Sequence, residues 1–262
     1  MRRNIEEASR VLDEAGYALI TSTPHQAGRA RPLWETLQPD AVMSYLPLSH
    51  DMAGAMREAG VRRLIPDPDL DAGATGFSER GAELQVEHLS GLGHRILAYA
   101  GSADPRLAEL SQMRWHTARV AAQTKGLDIT RARAGINDDS AAEAVAGWVH
   151  ARVTGVLCYN DDVAAAITGA AIDLGVKIPD QLSVIGHDDA PIASLYRPRL
   201  STVRLDAAGL GRFLAELTIG RIEGRPVGDY GPLSSSIELM ARETTAPPAV
   251  DPARPGQGSL DW

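Results

Sequence analysis

Two short polar clusters carry the chemistry most open to interpretation in this chain. Asn160-Asp161 follows the apolar run Gly155-Val156-Leu157-Cys158-Tyr159, and Asp188-Asp189 follows Leu182-Ser183-Val184-Ile185-Gly186-His187. Both clusters sit where a buried strand leaves a sheet at its carboxyl end, and open α/β sheets bind their ligands at that edge. Side chains of Asn and Asp offer several directional donors and acceptors, which suits a polyhydroxyl or heterocyclic ligand in a crevice. Asn160 or Asp161 is equally well read as the N-cap of a following helix, and spacing alone does not separate the two roles. The aspartate pairs 161-162 and 188-189 also raise a metal or two-carboxylate site. No His or Cys stands near them at ligand spacing, so solvated turn carboxylates are the better reading.

Other reactive side chains say less. His88 and His94 frame Leu89-Ser90-Gly91-Leu92-Gly93, and six residues do not put both on one helix face, so core or capping roles are expected. Ser234-Ser235-Ser236 lacks a general base in its sequence context. Cys158, inside an apolar strand, reads as inert packing.

The elements that must position these residues alternate between helical and strand-like patterns, the signature of parallel sheets covered by helices. Ile5, Ala8, Leu12 and Ala15 share one helical face that Gly16 ends. Strands are expected over residues 17–23, 40–46, 61–66, 95–100, 155–159 and 182–186. Helices are expected over 51–59, 81–90, 107–124, 140–152 and 162–174, with stops at Gly60, Gly126 and Gly175. The Pro- and Gly-rich run 246–262 has no periodic pattern and is expected to be a disordered tail.

Composition narrows the function classes. The 262 residues, 44% of them hydrophobic, can bury a full core. Twenty-six basic against 34 acidic residues give a net charge of -8, which repels a phosphate backbone. One cysteine excludes an internal disulfide, the N-terminus has no apolar signal core, and no stretch reaches membrane-spanning length; a cytoplasmic location without a membrane partner is expected.

The segment Val156 to Asp189, with Pro198-Arg199-Leu200-Ser201-Thr202-Val203-Arg204 and Gly209-Leu210-Gly211 after it, resembles the C-terminal half of the lactose-repressor (LacI) family. Val86-Glu87-His88-Leu89-Ser90-Gly91-Leu92-Gly93-His94-Arg95 and Leu239-Met240-Ala241-Arg242-Glu243-Thr244-Thr245 fit the same family in the same order. The resemblance implies an α/β, periplasmic-binding-protein-like fold of two doubly wound parallel-sheet lobes joined by crossover strands. It places residues 1–101 and about 206–232 in an N-terminal lobe, and about 102–205 with 233–245 in a C-terminal lobe. Crossings are expected after Gly101, around 202–205 and near 231–234, with a helix over 206–222 and a strand over 235–240. The effector would lie between the lobes. Arg114 corresponds to the family arginine that reaches the ligand, where a planar guanidinium grips a diol or carboxylate; a surface helix cation is the alternative. Asn160 and Asp188 correspond to the other two effector contacts. Phe77 at the pocket entrance and Asp139, where the family often has an aromatic residue, complete the expected effector-binding set.

Two departures qualify the resemblance. Met1 falls within the first helix, so the sequence as read is expected to lack the family's DNA-reading helix-turn-helix, its hinge helix and the first strand of the first lobe. Asp139 and the stretch Gly76-Phe77-Ser78-Glu79-Arg80 depart from the family's pocket pattern, which points to a more polar effector or to displaced contacts. The resemblance implies a sensor for a sugar or related polar metabolite whose occupancy controls operator affinity in an intact regulator. It implies no catalytic residue, metal or cofactor, a homodimer with residues 51–59 facing the partner, and operator DNA contacted only through a headpiece. The alternatives are a solute-binding protein of a transporter and, with no nucleophile-base constellation behind it, an enzyme.

Overall fold

In the computed structural model, residues 2–22, 31–45, 48–71, 77–136, 138–225 and 237–249 are described. The chain divides into two compact units: Met1–Leu84, Asp104–Thr117 and Val203–Leu239 form the first, and Gln85–Ala103, Ala118–Thr202 and Met240–Trp262 the second. Among the described residues no helix is long and apolar enough to cross a membrane.

The first unit is built on two packed helices, α1 (Arg2–Glu14) and α9 (Ala207–Glu223). Ala8 and Leu12 of α1 meet Ala215 and Ile219 of α9 in a buried cluster, as the 3.6-residue period of their apolar positions requires. The helices touch at backbone distance at Gly211, where an added Cβ would lie 2.2 Å from the carbonyl oxygen of Asn4. Asp206 caps α9, accepting the amide of Gly209 at 2.8 Å, and Gly224 ends it at φ +69. Helix α3 (His50–Glu58) is capped by Ser49, and Gly60 stops it as the sequence indicates. A short α2 (Leu33–Leu37) precedes it.

The strands of this unit are shorter than the sequence implies. β1 (Val42–Met43) and β2 (Leu64–Ile65) form a parallel pair, and among the described residues no strand pairs with the other edge of β1. Residues 17–22, expected to open a strand, form none. Tyr17 and Leu19 nevertheless enter the same core as Met43 and Tyr45. The alternation that signals burial is present, but among the described residues no strand partners this backbone. Strands β7 (Thr202–Leu205) and β8 (Ile237–Met240) form a second two-stranded sheet; the expected crossing near 231–234 and residues 235–236 lie outside the described residues.

The second unit holds a four-stranded parallel sheet of order β4-β3-β5-β6, with β3 (Ile96–Ser102), β4 (Asp128–Ala134), β5 (Gly155–Cys158) and β6 (Ser183–Ile185). Its central strands are apolar and buried on both faces, the pattern of a helix-covered parallel sheet. Helices α6 (Ser140–His150) and α7 (Asp161–Asp173) pack on it, and a short α8 (Pro191–Leu195) follows β6. Helices α4 (Phe77–Gly91) and α5 (Ala108–Thr124) each run from one unit into the other.

This sheet corrects the expected lobe boundaries. β3 pairs with β4 from Ile96↔Asp128 to Ser102↔Ala134 and with β5 from Leu97↔Gly155 onward. Residues 85–101, assigned to the first lobe by the sequence reading, therefore belong to the second unit. β4, with its Arg131 and Arg133, escapes the apolar pattern because it is an edge strand that keeps charge at its exposed margin. The expected disordered tail does not begin at 246. The Ala246 carbonyl accepts from Ser183 Oγ at 3.0 Å and lies 2.9 Å from His94 Nε2, so residues 246–249 start as an anchored extension of this unit. Residues 250–262 lie outside the described residues.

Candidate functional site

Because the second sheet is parallel, the carboxyl ends of its strands line one edge, and three of the expected effector residues follow those ends. Asn160 leaves β5 in extended conformation and caps α7, its Oδ1 accepting the amide of Val163 at 2.9 Å. Among the described residues its Nδ2 has no protein partner. The cap role is thus observed, and it leaves the amide donor for other use. Asp188 follows β6 and is exposed, with Oδ1 at 2.7 Å from Nδ1 of the fully buried His187. Asp139 precedes α6 beyond the end of β4; it is exposed and makes no capping bond. The cap there is Asp138, which accepts the backbone amide of Ser140 at 3.0 Å and also binds its hydroxyl. Those bonds hold the Asp138 carboxyl below its usual range.

The aspartates beside these residues are not solvated turn groups. Asp161 is 1% exposed; Oδ2 accepts the Ala190 amide at 2.6 Å and Oδ1 the Thr202 hydroxyl at 2.5 Å. Burial pushes its pKa to about 7, and the negative charges of Asp188 and Asp189 add to the effect. Asp189 is paired with Arg242 at 2.6 Å, and both side chains are largely shielded. An added Cβ on Gly186 would lie 2.1 Å from Asp161 Oδ1, so glycine is required at the end of β6.

Backbone strain concentrates at the same place. Asp188 and Asp189 lie at φ +98 and +48, conformations that cost about 1–3 kcal/mol for a non-glycine residue unless the surroundings enforce them. Here they do, through the Asp161 bond to Ala190 and the Arg242 pair. The strain holds the Asp188 carboxylate at the rim of the sheet edge.

Arg114 lies on α5 within the first unit and is only 5% exposed, which discards the surface-cation alternative. A guanidinium this buried needs acceptors around it. Phe77 opens α4 in the first unit, and its side chain lies outside the described residues. The structure thus gathers Asn160, Asp188 and Asp139 on one edge of one sheet, and assigns Arg114 and Phe77 to the other unit. Sequence reasoning missed Asp161 and Thr202, whose partners lie 29 and 41 residues away, and His187, whose burial depends on the packing around it rather than on its adjacent partner Asp188. His94 is a core residue between Thr154 Oγ1 and the Ala246 carbonyl, both at 2.9 Å. Cys158 is fully buried, and that burial pushes its thiol pKa up.

Comparison with known proteins places this geometry. Residues 86–245 match the family described as periplasmic binding protein-like domain. The chain is 33% identical over 224 residues to the HTH-type transcriptional regulator GntR of Pseudomonas aeruginosa, covering 78% of this chain and 64% of that protein. It therefore spans less than two thirds of the length of this curated relative. Among solved structures it superposes on a LacI family regulator of Enterococcus faecium with bound ribose (TM-score 0.72, 18% identity, 94% of each chain). It superposes equally on the lac repressor dimer bound to operator and an anti-inducer (TM-score 0.74, 19% identity, 94% of this chain and 89% of that one). With a four-stranded parallel sheet, strand-end polar residues and this family match, the chain belongs to the periplasmic binding protein-like domain family.

Proposed function

We propose that this chain is the effector-sensing core of a DNA-binding regulator, and that it binds a sugar or related polar metabolite through Arg114, Asn160 and Asp188, with Asp139 and Phe77 at the margin of the site. The observation that carries the reading is the sheet edge that presents Asn160 and Asp188 from the adjacent strands β5 and β6. Effector occupancy shifts the arrangement of the two units and, in the intact protein, operator affinity. The chain turns nothing over, acts in the cytoplasm, and works as a homodimer that α3 helps to form. A transporter's solute-binding protein is not favoured, since the related chain is a regulator.

The test is a thermal-shift screen over neutral aldoses, sugar acids and amino sugars, followed by calorimetric titration of the hit. Arg114→Ala removes a charge-assisted hydrogen bond of roughly 1.5–3 kcal/mol, so affinity should fall by about one to two orders of magnitude. Asp188→Asn should weaken binding as well, because an amide replaces acceptor capacity with donors. Unchanged affinity in both variants, with folding intact by circular dichroism, would remove this site from consideration.

A further inference from the structure

One buried side chain meets the strand ends from outside the sheet. Gln85, on α4, is 1% exposed, and its Nε2 donates to the Gly186 carbonyl at 2.7 Å and the Cys158 carbonyl at 3.0 Å. These carbonyls lie just past the last registered pair of β5 and β6, Leu157↔Ile185. Beyond that pair each strand keeps only its outer neighbour: β3 for β5, as along its whole length, and Ser201 for β6. The Tyr159 amide donates to Ala100 at 2.9 Å, while the Gly186 amide donates to Ser201 at 2.8 Å. The strands therefore part at Cys158 and Gly186, and the Gln85 amide bridges the two carbonyls where they do. Two residues further on stand Asn160 and Asp188.

We propose that Gln85 is a positioning residue: its amide fixes the separation of the β5 and β6 ends at which Asn160 and Asp188 meet one ligand, and ties both ends to α4. Helix α4 is where the chain passes from the first unit into the second, at Leu84/Gln85. His88, one turn along, holds the same helix to the second unit through Thr245 Oγ1 at 2.9 Å. An amide suits the site because both partners are acceptors, and its NH2 group offers two donors without burying a charge.

Two variants and a control test this. Gln85→Leu keeps the bulk and removes the donors. Gln85→Glu keeps the shape, but its carboxylate faces two carbonyl oxygens, and only the protonated form donates. Val145→Ala, in the fully buried core of α6, is the control for general destabilisation. Hydrogen exchange is read at the amides of Val163 and Ala190, which report the Asn160 cap and the Asp161 bond. Exchange there should quicken at least tenfold in Gln85→Leu, stay within twofold of wild type in Val145→Ala, and in Gln85→Glu slow toward wild type as pH falls. Equal exchange in Gln85→Leu and wild type, or equal acceleration in Val145→Ala, overturns the proposal. The ligand arm rests on the sensor reading above: affinity for the sugar found by the screen should fall at least tenfold in Gln85→Leu and less than twofold in Val145→Ala. If wild type binds nothing in the screen, the sensor reading fails, and the exchange arm still decides the role of Gln85.

Discussion

Asp161 is buried where its neighbour Asn160 is half-exposed, and it makes the second unit sensitive to pH. A carboxyl whose pKa is raised from 3.8 to about 7 in the folded state binds a proton more tightly folded than unfolded. Its contribution is full below about pH 4 and is lost as pH rises through about 7, on the order of 4 kcal/mol in all. His88 and His94 oppose this trend: burial lowers their pKa values from 6.5, so their contribution is present above that value and lost as pH falls. The measurement that isolates Asp161 is the pH dependence of Tm in wild type against Asp161→Asn. The amide keeps both contacts, accepting from Ala190 and donating to Thr202, so the variant should be as stable near pH 5 and more stable near pH 8. Parallel curves for the two proteins would contradict the assignment. Asn160→Asp separates cap from contact at the neighbouring residue. A carboxylate caps as well as an amide, so stability should hold within about 0.5 kcal/mol, while loss of the NH2 group should weaken effector binding about tenfold by calorimetry. Local sequence does not distinguish these two residues, for both follow the same apolar strand. What buries Asp161 are contacts 29 and 41 residues away.

At the scale of elements, the tightest joint is the α1–α9 crossing. Gly211→Ala gains helix propensity of about 1 kcal/mol, yet the new methyl would displace the Asn4 carbonyl, and overpacking of this kind costs about 1–3 kcal/mol. Because backbone rather than a side-chain tip must move, a net loss of stability is expected, read as a lower Tm with faster exchange confined to α1 and α9. A Tm at or above wild type would show that the helices can separate freely. Helices were the legible part of this fold. The helical pattern over 51–59 and the stop at Gly60 match His50–Glu58 to within one residue, while the Ser49 cap went unread. Strands were less legible because they are defined by partners. Tyr17 and Leu19 alternate into the core without a ladder, β4 pairs in full while its arginines mask the alternation, and the place of β3 depends on residues about 30 and 60 positions later in the sequence. For the site, the strand-end positions of Asn160 and Asp188 could be read directly; the Gln85 bridge could not, since nothing around Gln85 in sequence refers to Cys158 or Gly186.

Over the whole molecule, the two units differ in how their sheets are built. The second unit has four strands with fully buried central members, whereas the described first unit has strand pairs of two and four residues. Backbone amides in β3 and β5 should therefore exchange slowest, approaching the global unfolding rate, and those of β1 and β2 measurably faster. Equal protection in both sheets would contradict this. The net charge of -8 sets a second expectation at this scale. The chain by itself should show no retention of random duplex DNA by fluorescence anisotropy at about 150 mM salt, where the Debye length is about 8 Å; salt-dependent binding would mean that a local basic face outweighs the total.

The closing contact of the second sheet has a consequence for synthesis. The β6 amide of Val184 is satisfied by the carbonyl of Thr244, and Thr244 Oγ1 returns a bond of 2.7 Å to the Val184 carbonyl, sixty residues apart. A ribosome making this chain must therefore add those sixty residues before the edge closes at Val184; until then Ser201 covers only the Gly186 end of it, and the rest is open to any other nascent strand. Slow translation between these two points would lengthen that exposure, and chaperone demand in the cell should track it.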